Sequence, residues 1–213
     1  MRLFVGVKVS MAALGELAEV RDALARAADG TGLAVKWVAP ATYHVTLKFL
    51  GWARPEVLTA VRDRVGEALA GRRAVRFRPR GLGAFPKAER ARVLFAGTGD
   101  GATGLTELAG LVDGAAAELG FERERRPFHA HVTLGRLKEV ADVSKLLVPF
   151  AEQSFSETLV ESVTLFESIM KSSGSEYVGR ASWALEGGSK GRRRQTEQVE
   201  PRSTETLSDS GED

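Results

Sequence analysis

The chain contains 213 residues, of which 43% are hydrophobic, enough to bury the core of one globular domain or of two half-sized lobes. No run approaches the ~20 apolar residues of a membrane span, and Lys8 interrupts the short apolar N-terminal stretch before it has the form of a signal peptide. Cysteine is absent, which excludes disulfides and thiolate metal ligands and allows a reducing compartment, so we expect a cytoplasmic protein. A net charge of +2 does not by itself indicate a nucleic-acid binder.

Residues 187–213 differ in composition from the rest of the chain. Two glycines and Ser189 open this segment, and Val199 and Leu207 are its only aliphatic side chains. Such a segment cannot bury enough apolar surface to offset the entropy lost on ordering, so we predict a disordered tail after a folded domain over residues 1–186. Its basic run at residues 192–194 is compatible with an RNA contact, but a solvated extension is the favoured interpretation.

Strand and helix patterns alternate along residues 1–186. Aliphatic side chains at every second position predict a strand over residues 2–9, and Ser10 is a suitable N-cap for a helix that reaches about Ala28. The glycines and proline of residues 81–86 predict a loop. Further strands are predicted at residues 44–50, 74–78, 91–96, 131–135, 160–167 and 177–185, and further helices from Pro55 to Leu69 and from Leu105 to a stop at Gly120. This mixed order predicts the α+β class, with one or two antiparallel sheets and helices on their outer faces.

One tetrapeptide occurs twice. His44-Val45-Thr46-Leu47 returns 87 residues later as His131-Val132-Thr133-Leu134, and these two histidines are among only three in the chain. Chance recurrence of such a string in a short chain is improbable. A duplicated half, with one copy of the motif in each lobe, explains the repeat better.

The spacing within the motif has a structural meaning. In a strand, residues i and i+2 face the same side, so each copy presents one imidazole and one hydroxyl above a sheet. The valine and leucine point to the opposite side, into the apolar layer. Two copies that face each other would place two histidines and two threonines around one cleft.

That set of side chains suits the opening of a cyclic phosphodiester without a metal. A base must take a proton from water, and an acid must protonate the departing sugar oxygen. Histidine performs either role near neutral pH, and the threonine hydroxyls can donate to the phosphate oxygens, where negative charge increases in the transition state. No cofactor is implied.

The histidines have two other interpretations. A single histidine in a strand is usually structural, but two in identical contexts are less easily explained in that way. His129 shares the predicted strand face of His131, and with His44 it would form a three-histidine metal site. Because no acidic residue has a supporting spacing, we favour chemistry without a metal.

The residues around both motifs resemble those of a known family, the 2H phosphoesterases, and within it the LigT-type RNA 2′,3′-cyclic phosphodiesterases, historically called 2′-5′ RNA ligases. The resemblance covers residues 1–186 and excludes the tail. One departure is Ala130, where relatives often carry proline, and it removes no reacting group. The matching segments are Trp37 to Pro40, His44 to Gly51, Gly81 to Pro86, Arg92 to Gly97, Pro127 to Arg136, and Leu165 to Ser168 with Gly174 and Tyr177.

The resemblance implies a fold of two similar lobes with antiparallel sheets lining a central cleft. It implies a product that ends in a 2′-phosphomonoester, with His44 as the proton donor to O3′, His131 as the proton acceptor from water, and Thr46 and Thr133 holding the phosphate. The expected partners are RNA ends or 2′,3′-cyclic nucleotides, and the protein is expected to be a monomer without membrane contact.

Alternative activities stay open at this point. Reverse 2′-5′ RNA ligation is one, and action on 2′-5′-linked or ADP-ribose-derived phosphates is another. A non-catalytic RNA-end binder is disfavoured, because both motifs keep their histidine and threonine.

Six further residues near the motifs are candidates for substrate contact. Lys48 shares the strand parity of His44 and Thr46, which would put it either at the cleft edge or in solvent. Strict alternation would turn Arg136 away from His131, so a substrate contact there requires a β-bulge or a strand end. The aromatic candidates for base stacking, for each of which core packing is the favoured role, are Tyr43, Phe49, Phe85 and Phe128.

Overall fold

The fold consists of β-strands with helices between them. The computed structural model describes residues 1–171 and 174–187, so the predicted tail lies outside the described residues from residue 188 onward. The strands are β1 (Arg2–Lys8), β2 (Val35–Trp37), β3 (His44–Trp52), β4 (Val75–Phe77), β5 (Pro79–Phe85), β6 (Ala91–Thr98), β7 (His131–Ala141), β8 (Thr158–Val160), β9 (Ser162–Lys171) and β10 (Gly174–Ala184). The helices are α1 (Met11–Ala28), α2 (Val57–Leu69), α3 (Ala102–Glu118) and α4 (Ser144–Leu147), with short 3-10 helices at Pro40–Thr42, Ala88–Arg90 and Val148–Phe150.

The larger sheet is antiparallel throughout its path. Its strand order is β10-β9-β1-β3-β7-β6-β5, with β2 also paired to β7, and β4 and β8 form a separate pair. The two motif-bearing strands, β3 and β7, meet at the middle of this order through the pair Val45 and Val132. The predicted α+β class with antiparallel sheets is confirmed.

Local signals account well for two of the helices. The Ser10 hydroxyl accepts a hydrogen bond from the backbone N–H of Ala13 at 3.2 Å, so Ser10 caps α1 as predicted. Gly120, with φ of +87°, follows α3 and ends it as predicted. Helix α2, in contrast, begins at Val57 and not at Pro55, because Pro55 lies in a turn before the helix.

The core lies on one face of the sheet. The valines and leucines of both motifs are buried, together with the apolar stripes of α1, α2 and α3. Helix α3 packs against β3, β4 and α2, and helix α2 also contacts β10. Burial of this face leaves the opposite face, which carries the motif histidines, free to form a cleft. No helix in the described part of the chain is long and apolar enough to cross a membrane.

The loop predicted at residues 81–86 is wrong, because these residues belong largely to strand β5. Gly81 has φ of +67° and lies at a register shift between Pro79 and Leu82, where a glycine allows the strand to bulge. A Cβ at Gly83 would lie 2.6 Å from the ring of Phe95, so this position needs glycine to admit that ring. The glycines therefore serve a strand and not a loop.

Candidate active site

The two motifs begin the two strands at the centre of the sheet. Because β3 and β7 run antiparallel and pair at Val45 and Val132, His44 and His131 lie diagonally across this pair, each opposite the threonine of the other motif. The histidines and threonines of both motifs line one cleft of about 580 Å³, whereas the valines and leucines are buried beneath it. The arrangement agrees with the face alternation expected from the sequence.

Both imidazoles are held in the same way by the backbone. The Nδ1–H of His44 donates to the carbonyl of Thr42 at 2.7 Å, and that of His131 donates to the carbonyl of His129 at 2.7 Å. A carbonyl oxygen only accepts, so in the neutral ring Nε2 carries the lone pair. At His44 this Nε2 lies 3.0 Å from the hydroxyl of Thr46. Each ring therefore presents Nε2 for proton transfer.

Aromatic side chains surround both rings. The ring of His44 lies 4.8 Å from that of Phe4 and 5.0 Å from that of Tyr177, and the ring of His131 lies 5.0 Å from that of Phe85. Burial lowers the pKa of both histidines below its usual value, and the positive charge of Arg136 lowers each pKa further. The hydrogen bonds to the backbone carbonyls oppose this shift. Both imidazoles are therefore biased towards the neutral form.

A β-bulge follows the histidine and threonine of each motif. Opposite β1, Thr46 and Lys48 pair with consecutive residues, which leaves Leu47 as the extra residue. Opposite β6, Thr133 and Gly135 pair with consecutive residues, which leaves Leu134 as the extra residue. In both strands the bulge reverses the alternation of the side chains that come after it.

The reversal decides the positions of two candidate residues. Arg136 is turned to the same side as His131 and lines the cleft. The β-bulge that a substrate contact by Arg136 required is therefore present. Lys48 is turned away from the cleft and is 5% exposed, so both positions expected for it, the cleft edge and solvent, are wrong. Phe49, the next residue, faces the cleft instead and is 57% exposed.

The sequence and fold match one protein family. A family model described as LigT-like phosphoesterase matches residues 10–95 and 98–177. The chain belongs to this family. The predicted family is thereby confirmed.

Similar proteins with established names match most of the chain. An RNA 2′,3′-cyclic phosphodiesterase of Aeropyrum pernix is 37% identical over 169 residues, which are 77% of this chain and 92% of the relative. A protein of the same name from Archaeoglobus fulgidus is 33% identical over 181 residues, which are 83% of this chain and 96% of the relative.

Solved structures share the fold. A crystal structure of a Thermus thermophilus protein matches with a TM-score of 0.67 and 29% identity, over 88% of this chain and 100% of that one. The crystal structure of E. coli LigT complexed with 3′-AMP matches with a TM-score of 0.66 and 25% identity, over 87% of this chain and 98% of that one.

Behind the site, Lys48 has a structural role that sequence parity did not indicate. Its ammonium group donates to Oδ1 of Asp113 on α3 at 2.6 Å and to the carbonyl of Glu122 at 2.6 Å. Although burial alone would raise the pKa of Asp113, the hydrogen bonds from Lys48 and from the backbone of Glu124 hold this pKa below its usual range. The pair ties β3 to α3 and to the segment after it.

Several cleft residues had no signal in the sequence. Arg2 on β1 and Lys36 on β2 line the cleft, although each looks like an ordinary surface cation in the sequence. Strands β9 and β10 contribute Ser168, Met170, Ser175 and Tyr177. Ser168 and Tyr177 belong to segments that match the family, but no pattern in the sequence predicted that they line the cleft, because residues this far apart along the chain meet only through the sheet topology.

The aromatic candidates divide between the cleft and the core. Phe49 lines the cleft, and the ring of Phe85 packs against those of Phe95 and His131. Tyr43 is buried and Phe128 packs against the core, which agrees with the favoured packing role for these two.

The third histidine lies beside the cleft. The exposed ring of His129 is 5.3 Å from that of Phe85, and 6.4 Å separates it from the ring of His131. Within residues 1–171 and 174–187, no three His, Cys, Asp or Glu side chains are grouped closely enough to hold a metal ion. The three-histidine arrangement considered as an alternative is therefore not formed by these side chains.

Proposed function

We propose that this protein hydrolyses 2′,3′-cyclic phosphate ends of RNA or of nucleotides to 2′-phosphomonoesters, by acid–base catalysis between His44 and His131. The observation that carries the proposal is the pair of imidazoles in one cleft, each with Nδ1 held by a backbone carbonyl, so that Nε2 is the nitrogen left for proton transfer. The names of the relatives from Aeropyrum pernix and Archaeoglobus fulgidus support the same substrate. The protein acts as a monomer in the cytoplasm, and 2′-5′ ligation is the reverse of its reaction.

The reaction is an in-line displacement at phosphorus. Nε2 of His131 takes a proton from water, the water oxygen forms a bond to phosphorus, and the bond from phosphorus to O3′ breaks. Nε2 of His44 gives its proton to O3′, so the product carries a 3′-hydroxyl and a 2′-phosphate. The assignment of acid and base follows the family resemblance, since the two motifs are identical in sequence.

The other cleft residues stabilise the negative charge that increases on the phosphate. The hydroxyls of Thr46 and Thr133 lie on the same face as the histidines and donate to the non-bridging oxygens. The guanidinium of Arg136, whose charge reaches both imidazoles, offers a planar pair of donors to the same oxygens. Binding of the anion also raises the pKa of the nearby imidazoles, which favours the protonated His44 that the reaction needs.

Turnover is expected to survive chelation, because the two imidazoles supply both proton transfers. The test incubates the protein in EDTA with 2′,3′-cyclic AMP and with a cyclic-ended oligonucleotide, and separates 2′- from 3′-phosphate products by chromatography. We expect the 2′-phosphate alone. Loss of turnover in EDTA with recovery on adding a divalent cation would contradict the mechanism, and a 3′-phosphate product would contradict the assigned leaving group.

The pH dependence should be bell-shaped and displaced towards acid. The profile of kcat/KM reports the free enzyme, in which the pKa of both histidines is lowered, so its maximum should lie on the acid side of neutrality. Above that maximum the general acid loses its proton, and below it the general base gains one. The maximum of the kcat profile should lie at a higher pH than that of kcat/KM, because the bound phosphate raises the pKa of both histidines. A kcat/KM maximum on the alkaline side would show that these pKa values are not lowered.

A further inference from the structure

The cleft carries more positive charge than the reacting phosphate requires. Three cationic side chains line it, from Arg2, Lys36 and Arg136, and no Asp or Glu is among its lining residues in the described part of the chain. The whole chain, in contrast, is nearly balanced, with 30 basic and 28 acidic residues. Charge of one sign gathered in one cleft attracts an anionic ligand.

Arg136 and Lys36 are directly opposed across two strands. In the register of β2 and β7, Lys36 pairs with Arg136, and side chains of directly opposed residues share a sheet face. Like charges in this position destabilise a sheet. Among the described residues, neither cation has an acidic partner within ion-pair distance to relieve the repulsion. An anionic ligand that contacts both side chains would remove this cost.

The two cations are not equivalent with respect to the reacting centre. Arg136 lies on β7, the strand that carries His131, and its charge lowers the pKa of both His44 and His131, whereas Lys36 lies on the neighbouring strand β2. Arg136 is therefore the cation assigned to the reacting phosphate in the proposed function, and Lys36 lies beside it in the cleft on a second strand. The proposed reaction assigns Lys36 no contact with the reacting phosphate.

We infer that Lys36 binds the next phosphate of a substrate chain, the one attached to O5′ of the terminal nucleotide. This inference rests on the function proposed above and narrows its substrate class to the end of a polynucleotide in preference to a free cyclic mononucleotide. Phe49, whose ring is exposed in the same cleft, offers a face on which a base can stack, as single-stranded nucleic acids require. Lys36 is thus a specificity-determining residue and not part of the proton transfer.

The test compares kcat/KM for a cyclic-ended tetranucleotide with kcat/KM for the same cyclic mononucleotide. In Lys36→Gln the ratio of the two should fall about two- to five-fold, the range for one solvent-exposed ion pair. Lys36→Arg keeps the charge and should keep the ratio. Lys145→Gln makes the same charge change at an exposed position on helix α4, outside the cleft, and should also keep the ratio.

Two further measurements locate the contact. A cyclic mononucleotide with a 5′-phosphate supplies the same second phosphate, so its turnover should show the same dependence on Lys36. For the tetranucleotide, the slope of log kcat/KM against log salt should become shallower by about 0.7 in Lys36→Gln, as expected for one lost phosphate contact on a single strand. The inference is overturned if the ratio of kcat/KM for the tetranucleotide to that for the mononucleotide is unchanged in Lys36→Gln, or falls equally in Lys145→Gln. It is also overturned if Lys36→Gln does not affect turnover of the mononucleotide with a 5′-phosphate.

Failure of the proposed function is distinguishable from failure of this inference. If the wild-type protein opened neither substrate, the proposed function would fall, and fluorescence anisotropy with the labelled tetranucleotide would still measure the contact. In that assay the double variant His44→Ala/His131→Ala removes any turnover. Lys36→Gln in that background should weaken tetranucleotide binding, and unchanged binding would count against the subsite.

Discussion

His44→Ala and His131→Ala should each lower kcat/KM by about 10²–10⁴-fold, the usual loss for a general acid or base. Each substitution removes an Nε2 that faces the cleft and leaves the backbone carbonyl behind it in place. The two losses should not multiply in the double variant, because both histidines act in one displacement step. Thr46→Ala and Thr133→Ala should cost less, since each removes one hydrogen-bond donor to the phosphate. Steady-state kinetics on a 2′,3′-cyclic nucleotide measures all five variants.

His129→Ala is the matched control for this prediction. It removes the same side chain two residues from His131, at an exposed position, and keeps the carbonyl that accepts from Nδ1 of His131. We expect only a mild loss. Should a folded His129→Ala protein lose as much turnover as His131→Ala, the acid–base pair as assigned here would be wrong. Circular dichroism of each variant establishes that it is folded.

Asp113→Ala should destabilise the fold by about 3 kcal/mol, since it leaves a buried charge without its counter-ion. The Lys48 side chain is only 4% exposed, whereas that of Asp113 is 17% exposed. Removal of Asp113 leaves the ammonium with the carbonyl of Glu122 as its remaining partner. Lys48→Met should cost less, because methionine fills a similar volume and the remaining carboxylate reaches solvent. Urea unfolding measures both differences.

The double variant Lys48→Met/Asp113→Ala provides the decisive comparison. Replacement of a buried ion pair by apolar groups is often close to neutral, so this variant should be more stable than Asp113→Ala alone. Lys145→Met, at an exposed site on α4, controls for the chemical change. The kcat/KM of Lys48→Met should stay close to that of the wild type, because Lys48 does not line the cleft. A selective loss of turnover in this variant would restore Lys48 to a role in substrate binding.

The sequence by itself determined the parts of the protein that depend on neighbouring residues. Alternation along a strand put His and Thr of each motif on one face, and their repetition at two places indicated two equivalent contributions to one cleft. The N-cap at Ser10 and the stop at Gly120 were likewise local, because a helix end is satisfied by atoms within a few residues.

Only the tertiary structure decided which residues after the motifs belong to the cleft. A bulge depends on the register with the partner strand, which no single strand encodes, and it carried Arg136 into the cleft and Lys48 out of it. Contact with a partner strand also explains why residues 81–86 lie largely in a strand. Gly83 leaves room for the ring of Phe95 on the neighbouring strand β6. Lys36 faces Arg136 only because β2 pairs with β7, about 100 residues later in the chain. The sequence alone therefore does not show that these two charges are neighbours.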